Sequence, residues 1–161
     1  MKKLILRKEL ATKAIKRIVV KVGSSSITFP DGGIDLFKLK SIVKDLCYLS
    51  EMGIEVILVT SGAIQTGRKF LKPSSLIESK KIDYLQACSA IGQPLLMAKY
   101  INFFTQKRVG CSQILITHED LKNRNRYLNY RNTLLKLLSH KKLSILNEND
   151  TVSFEEITGR G

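Results

Sequence analysis

Tryptophan is absent from the 161 residues, and histidine occurs only twice, proline three times and cysteine three times. Cys47, Cys88 and Cys111 lie far apart, form no CxxC pair and are odd in number. That usage points away from a disulfide framework or a zinc site and fits a reducing cytoplasm. Pro30, Pro73 and Pro94 mark turns and define no linker. No apolar run approaches the roughly 18 residues of a membrane span. The first 16 residues are basic but lack the continuous apolar stretch of a signal peptide, so the protein is expected to stay where it is made, away from membranes. Acidic residues are scarce as well, 14 against 27 Lys and Arg, which leaves a net charge of +13.

What is present is ordinary globular material. Hydrophobic residues make up 43% and charged residues 25%, and the length suits one domain with a real core. The positive charge suits either a polyanionic partner or a solvated basic surface. Basic residues are spread along the whole chain, and the densest stretch, residues 122–131, interleaves them with Asn and Tyr. Nucleic-acid binding is therefore kept only as an alternative.

Ile18-Val19-Val20-Lys21-Val22 is a β-branched run that stops at Gly23-Ser24-Ser25-Ser26, reading as a buried strand that feeds a small-residue loop. After Asp35, Leu36, Leu39, Ile42, Val43, Leu46 and Leu49 recur at helical spacing up to Gly53. Residues 54–60 predict a second strand, ending in Ser61-Gly62-Ala63. From 79 to about 108 the pattern is mainly helical, with Pro94 expected to end one helix and start the next, as a helical hairpin or a bent helix. A third strand is predicted at 111–117, a helix at 125–140 and a fourth strand at 143–146, running into Asn147-Glu148-Asn149-Asp150. Alternating strands and helices imply a parallel sheet with helices on both faces, an α/β three-layer sandwich. Ligands in such sheets sit beyond the carboxyl ends of the strands, where three of these four strands end in small or polar loops.

Lys21 in an apolar strand, followed by Gly23, Ser24 and Ser25, suits a phosphate: the lysine supplies charge, and the loop N–H groups form a nest. A lysine that merely snorkels at a strand end explains it equally well. Ser61-Gly62-Ala63 lacks the GxSxG frame of a hydrolase elbow. Ser61 fits a helix N-cap, and exposed N–H groups at a helix start also bind carboxylates. Asn147, Glu148, Asn149 and Asp150 put two amides and two carboxylates behind one strand; such a loop can recognise an amino acid, although an Asx-rich turn is the plainer reading.

Val19-Val20-Lys21-Val22-Gly23-Ser24-Ser25, Val59-Thr60-Ser61-Gly62-Ala63-Ile64, Gln86-Ala87 through Gly92-Gln93, Tyr127-Leu128-Asn129 through Thr133, and Asn147-Glu148-Asn149-Asp150-Thr151-Val152 occur in that order. Together they resemble the glutamate 5-kinases of the amino-acid kinase family, over residues 17 to 157. The first motif is shared with related kinases; the second and last are more specific. The resemblance implies ATP-dependent phosphorylation of the side-chain carboxylate of L-glutamate to glutamyl 5-phosphate on the way to proline, with Mg2+ carried by the ATP. It implies that Lys21 is catalytic and contacts the ATP phosphates with Gly23 and Ser24, and that Ser61 and Asp150 hold glutamate in a pocket that Gly62, Ala63 and Asn147 help to line. No metal ligand is implied on the chain itself, and a complete member would be expected to form a homo-oligomer. Residues 17–161 would be the amino-terminal substrate-binding part, and residues 1–16 a basic extension. Family members continue after Glu156-Ile157 with a Gly-Asp-Asn-Asp segment and a nucleotide-binding half, whereas here Thr158-Gly159-Arg160-Gly161 follow. The expectation is therefore a piece of such a kinase, its own activity open. A non-catalytic amino-acid-binding module is the other alternative.

Overall fold

The computed structural model describes residues 15–153. Most of the expected basic extension and the residues after Ser153 lie outside that range.

Four six-residue strands form one parallel sheet: β1 (Arg17–Val22), β2 (Glu55–Thr60), β3 (Cys111–Ile116) and β4 (Leu143–Glu148), in the order β1-β2-β4-β3. The helices are α1 (Leu36–Glu51), α2 (Ala63–Arg68), α3 (Ile82–Gln106), α4 (His118–Lys122) and α5 (Arg124–Ser139). Three of these helix starts have side-chain caps. Asp35 accepts from the Lys38 N–H at 3.1 Å, Asn123 accepts from the N–H groups of Asn125 and Arg126, and Thr117 and Asp120 close a capping box.

Two cores lie on the two faces of the sheet. Val22, Val56, Leu58, Leu143 and Ile145 pack beneath α1 and α3 with Leu39, Val43, Leu46, Leu96, Tyr100 and Phe104. Ile57 and Leu146 pack on the other face with Leu138 and Leu134 of α5. The expected three-layer α/β sandwich is what forms.

Two expectations are corrected. Pro94 does not divide the helix, because α3 runs unbroken from Ile82 to Gln106. Pro94 and Ala90 are both exposed, so the carbonyl that the proline leaves unpaired is open to water, while Ser89, Gly92, Gln93, Leu96 and Met97 stay packed on the inner face. The second correction concerns β1, which is a sheet edge and not a fully buried strand. Arg17, Val19 and Lys21 are exposed on one face, and Val22 is buried on the other.

Candidate functional site

The carboxyl ends of β1, β2 and β4 meet at a cleft of about 240 Å³. Ser24, Ser61, Gly62, Ile64, Gln65, Arg68, Asn147 and Asp150 line it. The strand order explains the convergence: β2 pairs with β1 on one side and β4 on the other, so loops distant in sequence emerge side by side.

After β1, Ser24–Ser26 form a single 3₁₀ turn, held by the Ser26 N–H donating to the Gly23 carbonyl at 3.0 Å. Gly23 has an ordinary extended φ of −74°, and a Cβ there would meet nothing within 4 Å. Packing does not demand a glycine at this point. Lys21 stands in register with Val59, exposed and outside the cleft lining. The burial argument for an anion beside it therefore falls away, leaving an exposed ammonium at the carboxyl end of an edge strand.

The Ser61 N–H donates to the Val22 carbonyl at 3.1 Å, tying the two loops together. Gly62, and not Ser61, is the N-cap of α2. It adopts φ +105°, a conformation that favours glycine, and a Cβ there would sit tightly against Thr28 Cγ2 at 3.2 Å. This left-handed residue takes the cap position and leaves Ser61 half-buried in the cleft wall. Ala63 is 1% exposed and lies behind the cleft, not in its lining. Behind Ser61, the Thr60 hydroxyl and the Tyr100 phenol share a buried hydrogen bond of 2.9 Å. Burial pushes the Tyr100 phenol up to about 12 and the Thr60 bond partly opposes that shift, so the ring stays protonated.

On the far wall, Asn147 and Asp150 are 4% and 6% exposed. Asn147 Nδ2 donates to Gln93 Oε1 at 2.7 Å, and the Ser89 hydroxyl donates to Asp150 Oδ2 at 3.2 Å. The loop is also a turn, with the Asn149 N–H donating to the Ile116 carbonyl at 2.8 Å and the Asn149 carbonyl accepting from Val152 and Ser153. The turn is closed by these backbone bonds. His118 lines a separate hollow with Asp120 and Arg126.

Reasoning from sequence missed Arg68 and Gln65. Arg68 donates from Nη2 to the Ser79 carbonyl at 3.2 Å and lies 6.0 Å over the Tyr84 ring, which holds its guanidinium at the cleft wall. Gln65 donates to the Pro30 carbonyl at 3.0 Å. The available signal was position: both lie within two turns of the Ser61-Gly62 loop, on the helix that leaves the ligand edge. The cleft therefore carries one carboxylate, one guanidinium, amides and hydroxyls, a lining matched to a small ligand bearing charges of both signs. Among the described residues, no group of three His, Cys, Asp or Glu side chains could hold a metal ion, and no helix is long and apolar enough to cross a membrane.

An open parallel sheet with a polar cleft at its carboxyl edge defines an α/β domain of the class that places ligand sites beyond the carboxyl ends of its strands. The Amino acid kinase family model matches residues 16–161, and the chain belongs to that family. It is 46% identical over 154 residues to a glutamate 5-kinase of Desulfotalea psychrophila, covering 94% of this chain and 40% of that protein. It is 43% identical over 143 residues to a glutamate 5-kinase of Trichlorobacter lovleyi, covering 89% of this chain and 38% of that one. The chain thus spans about two fifths of the length of these curated relatives. The crystal structure of UMP kinase from Bacillus anthracis superposes with a TM-score of 0.55 at 15% identity, over 83% of this chain and 53% of that one, a likeness of fold alone.

Proposed function

We propose that this chain forms the glutamate-binding part of an ATP-dependent glutamate 5-kinase. Such an enzyme transfers the γ-phosphoryl group of ATP to the side-chain carboxylate of L-glutamate, giving glutamyl 5-phosphate for proline synthesis. The observation that carries this reading is the cleft, where Ser61, Gly62, Asn147 and Asp150 from two distant loops line one small volume with Arg68. Its support is the 43–46% identity to relatives named glutamate 5-kinase.

In this reading Asp150 accepts from the glutamate ammonium, Asn147, Ser61 and Gly62 contact the rest of the amino acid, and Arg68 faces a carboxylate. Ala63 supports the loop from behind. Lys21 neutralises charge on the transferring phosphoryl group, and Gly23 and Ser24 approach the ATP phosphates by their backbone. Magnesium carried by the ATP would supply charge neutralisation at those phosphates. The glutamate carboxylate oxygen attacks phosphorus and ADP leaves, so the chain needs no covalent nucleophile. A basic extension followed by a substrate-binding part is the domain layout we propose, with homo-oligomeric assembly of the complete kinase.

The test is a chimera in which residues 1–161 replace the matching segment of the Desulfotalea psychrophila relative. Hydroxylamine trapping of the acyl phosphate should report turnover that depends on L-glutamate and ATP. A folded chimera that binds L-glutamate without turnover would leave a non-catalytic amino-acid-binding module in place of the kinase.

A further inference from the structure

We propose that the outward face of α1 is a self-association surface, on which a second copy of this chain docks its own α1 antiparallel. No residue of α1 lines the cleft, so this surface stands or falls independently of the glutamate reading.

Helix α1 turns Leu39, Val43, Leu46 and Cys47 into the core, which leaves its opposite face outward. On that face Phe37 and Tyr48, together with Met52 at the C-cap, are 85%, 63% and 60% exposed. They fall at i, i+11 and i+15, three turns and then one more, and so form a single stripe about 22 Å long at roughly 1.5 Å per residue. Single apolar residues scattered on a surface are ordinary; an aligned row on one helix is a contact surface without a partner.

Charge is divided along the same helix. Lys40 and Lys44 stand in its first half and, with Lys107, rim a groove of about 270 Å³ that Phe37 and Phe103 line. Asp45 and Glu51 occupy the second half, near Tyr48 and Met52. Lys40, Lys44, Asp45 and Glu51 are exposed and form no salt bridge among the described residues. The basic half lacks an anion and the acidic half lacks a cation, so each half is the complement of the other.

That division selects a second copy over an unrelated partner. A two-fold axis midway between residues 44 and 45 pairs the helices antiparallel, bringing Phe37 opposite Met52 and Ser41 opposite Tyr48 of the other copy. Lys40 and Glu51 each stand three residues after an aromatic, on the same flank of the helix, and the two-fold keeps like flanks together. Each Lys40 then comes within about 3 Å, measured along the helix, of the level of the other copy's Glu51. Lys44 comes level with Asp45 of the other copy. Such rim pairs fix register and partner more than strength, and a single helix face is a small interface, so the dimer should dissociate on dilution.

The test is sedimentation equilibrium of the 161-residue chain over a concentration series reaching millimolar. Salt at about 0.15 M partly screens the repulsion between two +13 chains. The expected result is a monomer–dimer equilibrium, weakened on the order of tenfold or more by Phe37→Ser and by either charge reversal, Lys40→Glu or Glu51→Lys. All three side chains are exposed, so each variant should keep the wild-type circular dichroism spectrum. Each reversed chain alone sets like charges against each other at positions 40 and 51, whereas an equal mixture of the two sets opposite charges there. The mixture should therefore recover near wild-type dimerisation, as a heterodimer. A wild-type chain that stays monomeric throughout overturns the proposal, and so does a dimer that survives both reversals. Loss in each variant without recovery in the mixture overturns it too, since that pattern reports bulk charge and not paired residues.

Discussion

Lys21 and Asp150 meet solvent in opposite ways, and their substitutions should fail differently. Lys21 is exposed on an edge strand, so Lys21→Ala removes no packing and no buried partner. In the active chimera it should cut kcat by about 10²-fold or more with glutamate KM little changed, as when one group stabilising transition-state charge is deleted. Asp150 is 6% exposed and takes a hydrogen bond from Ser89, so Asp150→Ala should chiefly raise glutamate KM. Steady-state kinetics with each substrate varied separates the two, and an Asp150→Ala enzyme with unchanged KM and reduced kcat would remove Asp150 from the substrate site. Tyr100 gives a prediction in pH. Its folded value near 12 lies above the ordinary 10.0, so the folded chain keeps a proton that the unfolded chain releases. Stability from this group is therefore intact below pH 10 and falls as pH rises from 10 to about 12, by roughly 2 to 3 kcal/mol. Tyr100→Phe should be less stable at neutral pH, having lost the Thr60 bond, yet show a shallower alkaline decline in urea titrations.

Among the elements, the α2–α3 contact is the joint that the site depends on. Gly92→Ala improves intrinsic helix propensity by about 1 kcal/mol, but its methyl would overlap the Ala63 carbonyl, so the two helices must part. The expected outcome is a net loss of about 3 kcal/mol or more in urea unfolding, accompanied by weaker glutamate binding. Gly23→Ala meets open space and should change stability by about 0.5 kcal/mol or less, which makes any drop in ATP affinity in the active chimera attributable to the phosphate loop. The same elements show what a sequence reveals. β1 to β4, α1 and α5 are legible to within a residue or two because each has its own periodicity and punctuation. The unbroken α3 was not, since a proline is harmless or disruptive according to which side of the helix it occupies, and that side is set by packing. The edge position of β1 was hidden for a related reason: strand order depends on pairing between distant segments. The cleft was half legible. Ser61, Gly62, Asn147 and Asp150 announce themselves as polar loops after strands, whereas Gln65 and Arg68 sit on a helix whose local pattern carries no ligand signal.

For the molecule as a whole, two distributions matter: the spread positive charge and the uneven covering of the sheet. The +13 charge has no dense stripe in the sequence, so RNA binding in a filter assay is expected to be weak and to vanish with moderate salt. The sheet is packed on one face by α1 and α3, while on the other α5 covers the β2–β4 region and leaves Val19 60% exposed beside Lys21. Phosphoryl transfer requires the attacking carboxylate and the γ-phosphate to be held in line, a constraint worth several orders of magnitude in rate. The described residues build one cleft matched to a small charged ligand, and they expose the lysine proposed for the phosphates without enclosing it. The chain also spans only about two fifths of the length of its kinase relatives. The 161-residue polypeptide on its own is therefore expected to bind L-glutamate but to release no ADP in response to it, with turnover appearing only in the chimera. A coupled assay on the purified chain checks this directly. Glutamate-dependent ADP release that proline suppresses and Lys21→Ala abolishes would show that the described half positions both substrates by itself, and would overturn the division of labour argued here.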